Sequence, residues 1–224
     1  MLTLYSGPLS LFARKTEIAL GEKGLKFERV MVPFTQARGY APKDPVVLAA
    51  NPKGQVPVLV DGDLTLFDST VILEYLDDAY PEPPLYPRSA PAKARCRLLE
   101  LHADEILLPP VRALMHRSAP PDADPQRTAE RERQAKTAET EIASHYAVLQ
   151  AKLGGQTFFC GDFSAADIAL YVTILYALRL KGPRLDAVPT LAAWHRRVGE
   201  RPAVAGVTAE IHAADRALSP DLFR

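Results

Sequence analysis

The rhythm of apolar and polar positions changes once along this chain. Residues 1–80 hold short alternating runs separated by turn residues, whereas from residue 92 onward apolar positions recur at helical spacing. Leu2-Thr3-Leu4-Tyr5 alternates and stops at Gly7-Pro8, which predicts a strand entering a turn. Phe12, Ile18, Ala19 and the run from Leu20 to Leu25 predict an amphipathic helix that Gly24 terminates. Phe27 to Val32 predicts a second strand, and the polar stretch from Pro33 to Pro52 has room for one short helix over 46–50. Val56 to Val60 and Leu64 to Phe67 flank Asp61-Gly62-Asp63, the chemistry of a tight hairpin turn. Asp68-Ser69 then supplies a helix cap before Thr70 to Tyr80, and the order is βαβαββα.

Pro81, Pro83, Pro84, Pro87 and Pro91 follow, a density that propagates neither helix nor strand. They divide the chain into a domain over 1–80, a linker over 81–91 and an all-helical part over 92–224. Within the last, Ala92 to Arg117 predicts a long helix bent at Pro109-Pro110, and Gln126 to Leu153 a second, with Ile142, Tyr146, Leu149 and Leu153 on one face. Ser164 to Leu180, Thr190 to Arg201 and Pro202 to Ala214 read as three more. The charged run from Arg127 to Glu141 alternates in sign and reads as a solvated helix face.

The 27 basic residues balance 27 acidic ones, so the chain lacks the basic excess that would displace counterions from nucleic acid. No apolar run approaches the roughly 18 residues that cross a bilayer, and the start has no cationic leader. These features argue against nucleic-acid and membrane partners, and a cytoplasmic protein is expected. Cys96 and Cys160 stand far apart, outside any C-x-x-C and beside no histidine pair. That spacing argues against protein-thiol redox chemistry and a structural metal, and reads both as small buried apolar residues.

A βαβ unit followed by a hairpin and a helix, with X-Pro at the start of the third strand, is the thioredoxin-like topology. The segment Asn51-Pro52-Lys53-Gly54-Gln55-Val56-Pro57 followed by Asp68-Ser69 narrows it. X-Pro bonds are the ones that adopt cis readily, and a cis Val56-Pro57 bond would leave the Val56 N–H and C=O free to pair with an extended peptide. With these pieces, and with Gly161-Asp162-Phe163-Ser164-Ala165-Ala166-Asp167 similar to the capping box of its helical domain, the whole chain resembles the cytosolic glutathione S-transferases. The resemblance implies the fold of that family and glutathione as cosubstrate, with no metal.

In that family the thiol-activating residue lies between the first strand and first helix. Ser10 falls where the serine-type classes keep their serine, and Ser10-Leu11-Phe12-Ala13-Arg14 is similar to the S-P-F-x-R of tau-like members, with Ser6 the second choice. A hydroxyl donor with a helix N-terminus behind it stabilises a thiolate over a thiol, so Ser10 is expected to donate to the glutathione sulfur rather than attack. A plain N-cap is the alternative role for Ser10. By the same resemblance Asp68 and Ser69 would hold the γ-glutamyl end, Gln55, Val56 and Pro57 the peptide, and Lys43 the glycyl carboxylate. Asp68 stands where the family usually has Glu. Leu9, Phe12, Leu107, Val111, Leu114 and Met115 are candidates for the apolar wall of an electrophile pocket. The implied activity is transfer of glutathione to a small hydrophobic electrophile by a homodimer. The rival is a scaffold that keeps the fold as a binding or ligand-sequestering module. A cysteine-type thiol-disulfide transferase is disfavoured, because no cysteine occurs between Ser6 and Arg14.

Overall fold

The computed structural model describes residues 1–223. The chain divides into two compact units, Met1–Tyr86 with Arg201–Leu218, and Pro87–Glu200 with Ser219–Arg224.

In the first unit β1 (Leu2–Ser6), α1 (Leu11–Glu22), β2 (Phe27–Met31), α2 (Pro45–Ala50), β3 (Val58–Asp61), β4 (Leu64–Phe67) and α3 (Ser69–Ala79) follow in that order. They form a four-stranded sheet of order β2-β1-β3-β4. β1 and β2 are parallel because α1 carries the chain back between them, while the tight turn at Gly62 makes β3 and β4 antiparallel. β1 alternates cleanly, with Leu2, Leu4 and Ser6 buried and Thr3 and Tyr5 half-buried. β3 begins at Val58 rather than at Val56 as the apolar run suggested. Pro57 has no N–H to give a ladder, so pairing starts beyond it.

The last long helix, α9 (Pro202–Leu218), belongs with this unit, although its sequence reads as one more helix of the C-terminal part. Ion pairs hold it there. Glu210 meets Arg14 at 2.7 Å and Arg29 at 2.6 Å, while Arg201 donates to both carboxylate oxygens of Glu22. Gly21 permits the approach, since a Cβ there would stand 2.8 Å from Cβ of Ala203.

The second unit comprises α4 (Ala90–Leu101), α5 (Leu108–Ala113), α6 (Pro125–Leu153), α7 (Ala165–Arg179) and α8 (Pro189–Gly199). The single bent helix expected over 92–117 is instead α4, a π-helical segment His102–Leu107, α5, and a 3₁₀ turn Met115–Ser118. Pro109 and Pro110 offer no N–H to the preceding turn, and widening that turn moves its carbonyls off the proline rings. α7 is buried almost throughout and forms the centre of this unit, with Tyr171 and the fully enclosed Trp194 packed among its neighbours. At its start Asp167, itself fully buried, accepts from Ser164 N and Oγ, Phe159 N and Trp194 Nε1 at 2.8–3.1 Å. Burial pushes the Asp167 carboxyl above its ordinary range against those four hydrogen bonds. The capping residue therefore ties the α6–α7 connection and α8 to one point.

Candidate functional site

The ladder registers decide where the loops come out. Tyr5 pairs with Val58, and Val58 with Phe67, while Ser6 pairs with Met31. The segments just beyond that row, Gly7–Ser10, the stretch ending in Pro57, Asp68–Ser69 and the chain after β2, therefore leave the sheet at one end. Ser10, Gln55, Val56, Pro57, Asp68, Ser69 and Lys43 all sit in those segments.

Ser10 caps α1, its backbone extended at φ −86° and ψ 109°, and its Oγ accepts from Ala13 N at 3.3 Å. Among the described residues that hydroxyl donates to nothing, so its proton is available. Ser6 differs. It is fully buried and its hydroxyl donates to Glu17 in a short hydrogen bond. That engagement removes Ser6 as a donor to a bound ligand.

Two residues fix the Gly7–Ser10 turn. Arg14 donates from Nε and Nη2 to the Pro8 carbonyl at 3.3 Å each, while its Nη1 binds Glu17 at 2.6 Å. From the other side the Tyr40 hydroxyl accepts from Leu9 N at 3.1 Å, and the ring lies so close over Gly7 that a Cβ there would fall 2.3 Å from it. Sequence reading found Arg14 only as part of a motif and did not find Tyr40, whose partners lie too far along the chain for any local pattern to announce.

The turn before β3 is organised by Asn51. Its Nδ2 donates to the Gln55 carbonyl at 2.7 Å and its Oδ1 accepts from Lys53 N at 2.9 Å. Gly54 completes the turn at φ 57°, with the Leu48 and Lys43 side chains nearest to where its Cβ would be. Gln55 is exposed, Val56 and Pro57 are buried, and the bond between them is cis. Beneath them Val56 and Val58 pack with Ala13, Val32 and Val47.

Asp68 holds φ 74°, a left-handed conformation that costs a non-glycine residue of order 1–3 kcal/mol and recurs where function requires it. Its carboxylate is exposed and accepts from Thr70 N at 3.0 Å, capping α3, while Ser69 beside it is buried. Lys43 is exposed. Of the apolar candidates, Leu9 is buried, Phe12 half-buried and Met115 exposed, whereas Leu107, Val111 and Leu114 are 0%, 1% and 0% exposed. Those three are packed as core and present no free surface. In the second unit His116 Nε2 meets Glu132 at 3.1 Å, and the His102 ring stands edge-on to His145.

A chain with this fold and this rim has known counterparts. The glutathione S-transferase N-terminal domain model matches residues 4–84 and the C-terminal domain model residues 103–202. Glutathione S-transferase 3 of Zea mays is 33% identical over 222 residues, covering 94% of each chain. This chain belongs to the glutathione S-transferase family. A glutathione S-transferase from Methylobacillus flagellatus, solved with GSH bound, superposes with a TM-score of 0.75 at 26% identity, over 92% of this chain and 98% of that one. The stringent starvation protein A homolog of Coxiella burnetii is 43% identical, but over 99 residues, 44% of each protein. The match to such relatives thus spans less than half of their length. Among the described residues no helix is long and apolar enough to cross a membrane.

Proposed function

We propose that this family member binds glutathione along the rim formed by Gln55–Pro57 and Asp68–Ser69 and activates its sulfur with the Ser10 hydroxyl. The observation that carries the reading is the Ser10 side chain, which accepts a hydrogen bond at the start of α1 and keeps its own proton uncommitted. A free thiol titrates near 8.5, so little of it is nucleophilic at neutral pH. A donor and a helix N-terminus facing the sulfur favour the charged form. Asp68 offers a carboxylate to the γ-glutamyl ammonium, and the Ser69 hydroxyl, at the head of α3, a partner for its carboxylate. Lys43, close to Gly54, suits the glycyl carboxylate at the other end. The second substrate is a small hydrophobic electrophile, and the working assembly a homodimer in the cytoplasm.

The similarity to stringent starvation protein A homologs favours a second reading, a scaffold that uses the fold for binding without turnover. One experiment separates the two. Titration of the protein with glutathione is expected to raise the ultraviolet band of the thiolate at neutral pH; binding without that band would leave the scaffold reading.

A further inference from the structure

The two cysteines, distant in sequence, meet in the second unit. Cys96 on α4 is fully buried, and Cys160, in the tight turn before α7, is half-buried. The turn is built to carry it: Phe158 and Cys160 make bridge pairs with Gly161 and Asp162, and Gly161 takes φ 88°. The Asp167 carboxylate anchors the neighbouring Phe159 N–H at 3.1 Å, which fixes the turn against the start of α7. The two thiols stand beside each other, and Ser164 and Arg95 are next to Cys160.

Cys160 also faces a cavity of about 490 Å³ lined by Arg95, Leu99, His102, Lys152 and Phe159. This space is large enough for a small ligand. Two cations border it, and His102 Nε2, buried at its edge, has no hydrogen-bond partner. The neighbouring Cys96 thiol holds Cys160 below its ordinary range, against burial and the Asp167 charge, with Ser164 and Arg95 assisting. The Cys160 thiol beside it, with burial, drives Cys96 upward. Cys160 is thus reached from the cavity, and Cys96 is shielded behind it.

We propose that Cys160 and Cys96 are an attacking and a resolving thiol that react with a small carboxylate-bearing disulfide, such as glutathione disulfide, admitted to the cavity bordered by Arg95 and Lys152. The Cys160 thiolate attacks one sulfur of that disulfide; a bond forms to Cys160, the disulfide bond breaks, and one glutathione thiolate leaves and takes a proton from water. Cys96 then gives up its proton and attacks the Cys160 sulfur, and the second glutathione leaves. Two protein thiols are oxidised to an intramolecular disulfide and one glutathione disulfide is reduced to two thiols. Arg95 and Lys152 offer charge to the carboxylates of the incoming disulfide. The chemistry is independent of Ser10.

The test uses the whole protein with excess glutathione disulfide, followed by thiol alkylation, intact mass and peptide mapping. The expected result is loss of both free thiols, a mass decrease of two hydrogens, and a cross-linked pair of peptides containing Cys96 and Cys160. Cys96→Ser should stop at one glutathionyl group on Cys160, and Cys160→Ser should leave Cys96 unreacted. Arg95→Ala should slow the reaction with glutathione disulfide several-fold and leave that with uncharged 2-hydroxyethyl disulfide unchanged. A wild-type protein that keeps both thiols, or that holds a stable mixed disulfide, overturns the pairing without reliance on any variant. Equal slowing of the two disulfides by Arg95→Ala overturns the role of the cavity. Because the readout is thiol mass and not transferase turnover, failure here says nothing about Ser10.

Discussion

Arg14 reaches back over the start of its own helix to hold the Pro8 carbonyl, with Nε and Nη2 both 3.3 Å from it. The same guanidinium is 2% exposed and pairs with Glu17, which is itself enclosed between Ser6 and Arg29. Removing one member of a buried pair leaves the other charge without compensation, at a cost of about 3–5 kcal/mol. Glu17 keeps Arg29, so Arg14→Met is expected to lower urea-unfolding stability by up to that amount, and Arg14→Met with Glu17→Gln to recover part of it. Strictly additive losses would show that the two side chains do not act as one unit.

Ser10→Ala should leave glutathione affinity within several-fold while the pKa of the bound thiol rises. With a thiol held about two units below 8.5, roughly three quarters is thiolate at pH 7, against about 3% without the donor, so turnover should drop roughly 25-fold. Ser6→Ala, in contrast, should weaken the fold and leave that pKa in place. A spectroscopic titration of bound glutathione in both variants decides; an unmoved pKa in Ser10→Ala would reduce Ser10 to a helix cap.

Asp68→Ala tests the other end of the ligand. A hydrogen bond to a charged partner contributes about 1.5–3 kcal/mol, so glutathione affinity should fall roughly 10- to 150-fold with little change in the pKa of the sulfur. Calorimetry measures it. Undiminished affinity would mean that the γ-glutamyl end lies elsewhere.

His195 provides a pH test of the second unit. Its ring stacks on Tyr171, with centroids 4.4 Å apart, and its Nε2 is buried without a partner. Burial drives its pKa from 6.5 down to about 4, against a hydrogen bond with the Tyr171 backbone. The unfolded chain takes up a proton below 6.5 and the folded one does not until about 4, so stability contributed by the neutral ring is full above 6.5 and is lost as pH falls across that window. The total is about 3 kcal/mol, at 1.36 kcal/mol per unit. Denaturation at pH 7 and pH 4 should show a smaller acid loss in His195→Phe than in wild type; equal losses would assign the acid sensitivity to other groups.

What the sequence disclosed was local chemistry. The Ser10 cap, the Asp61-Gly62-Asp63 turn, the Asp68 cap and the Ser164–Asp167 box are encoded within a few residues, and their elements were readable. So was the rim, because strand order and loop placement follow once a βαβ unit and a hairpin are recognised. Long-range closure was not readable. Nothing local marks Glu210 as the partner of Arg14 and Arg29, so α9 read as one more C-terminal helix. Tyr40 over Gly7 and Cys96 beside Cys160 were hidden for the same reason. Leu107, Val111 and Leu114 had the composition of a ligand wall, and only packing revealed them as core.

The partnership of Glu210 with Arg14 also bears on how this polypeptide tolerates change at its far end. Strip away residues beyond 200, or pull α9 out of place with an appended fusion, and the guanidinium that steadies the Pro8 carbonyl loses one of its two anions. The damage would then surface at Ser10, nearly the whole length of the chain away.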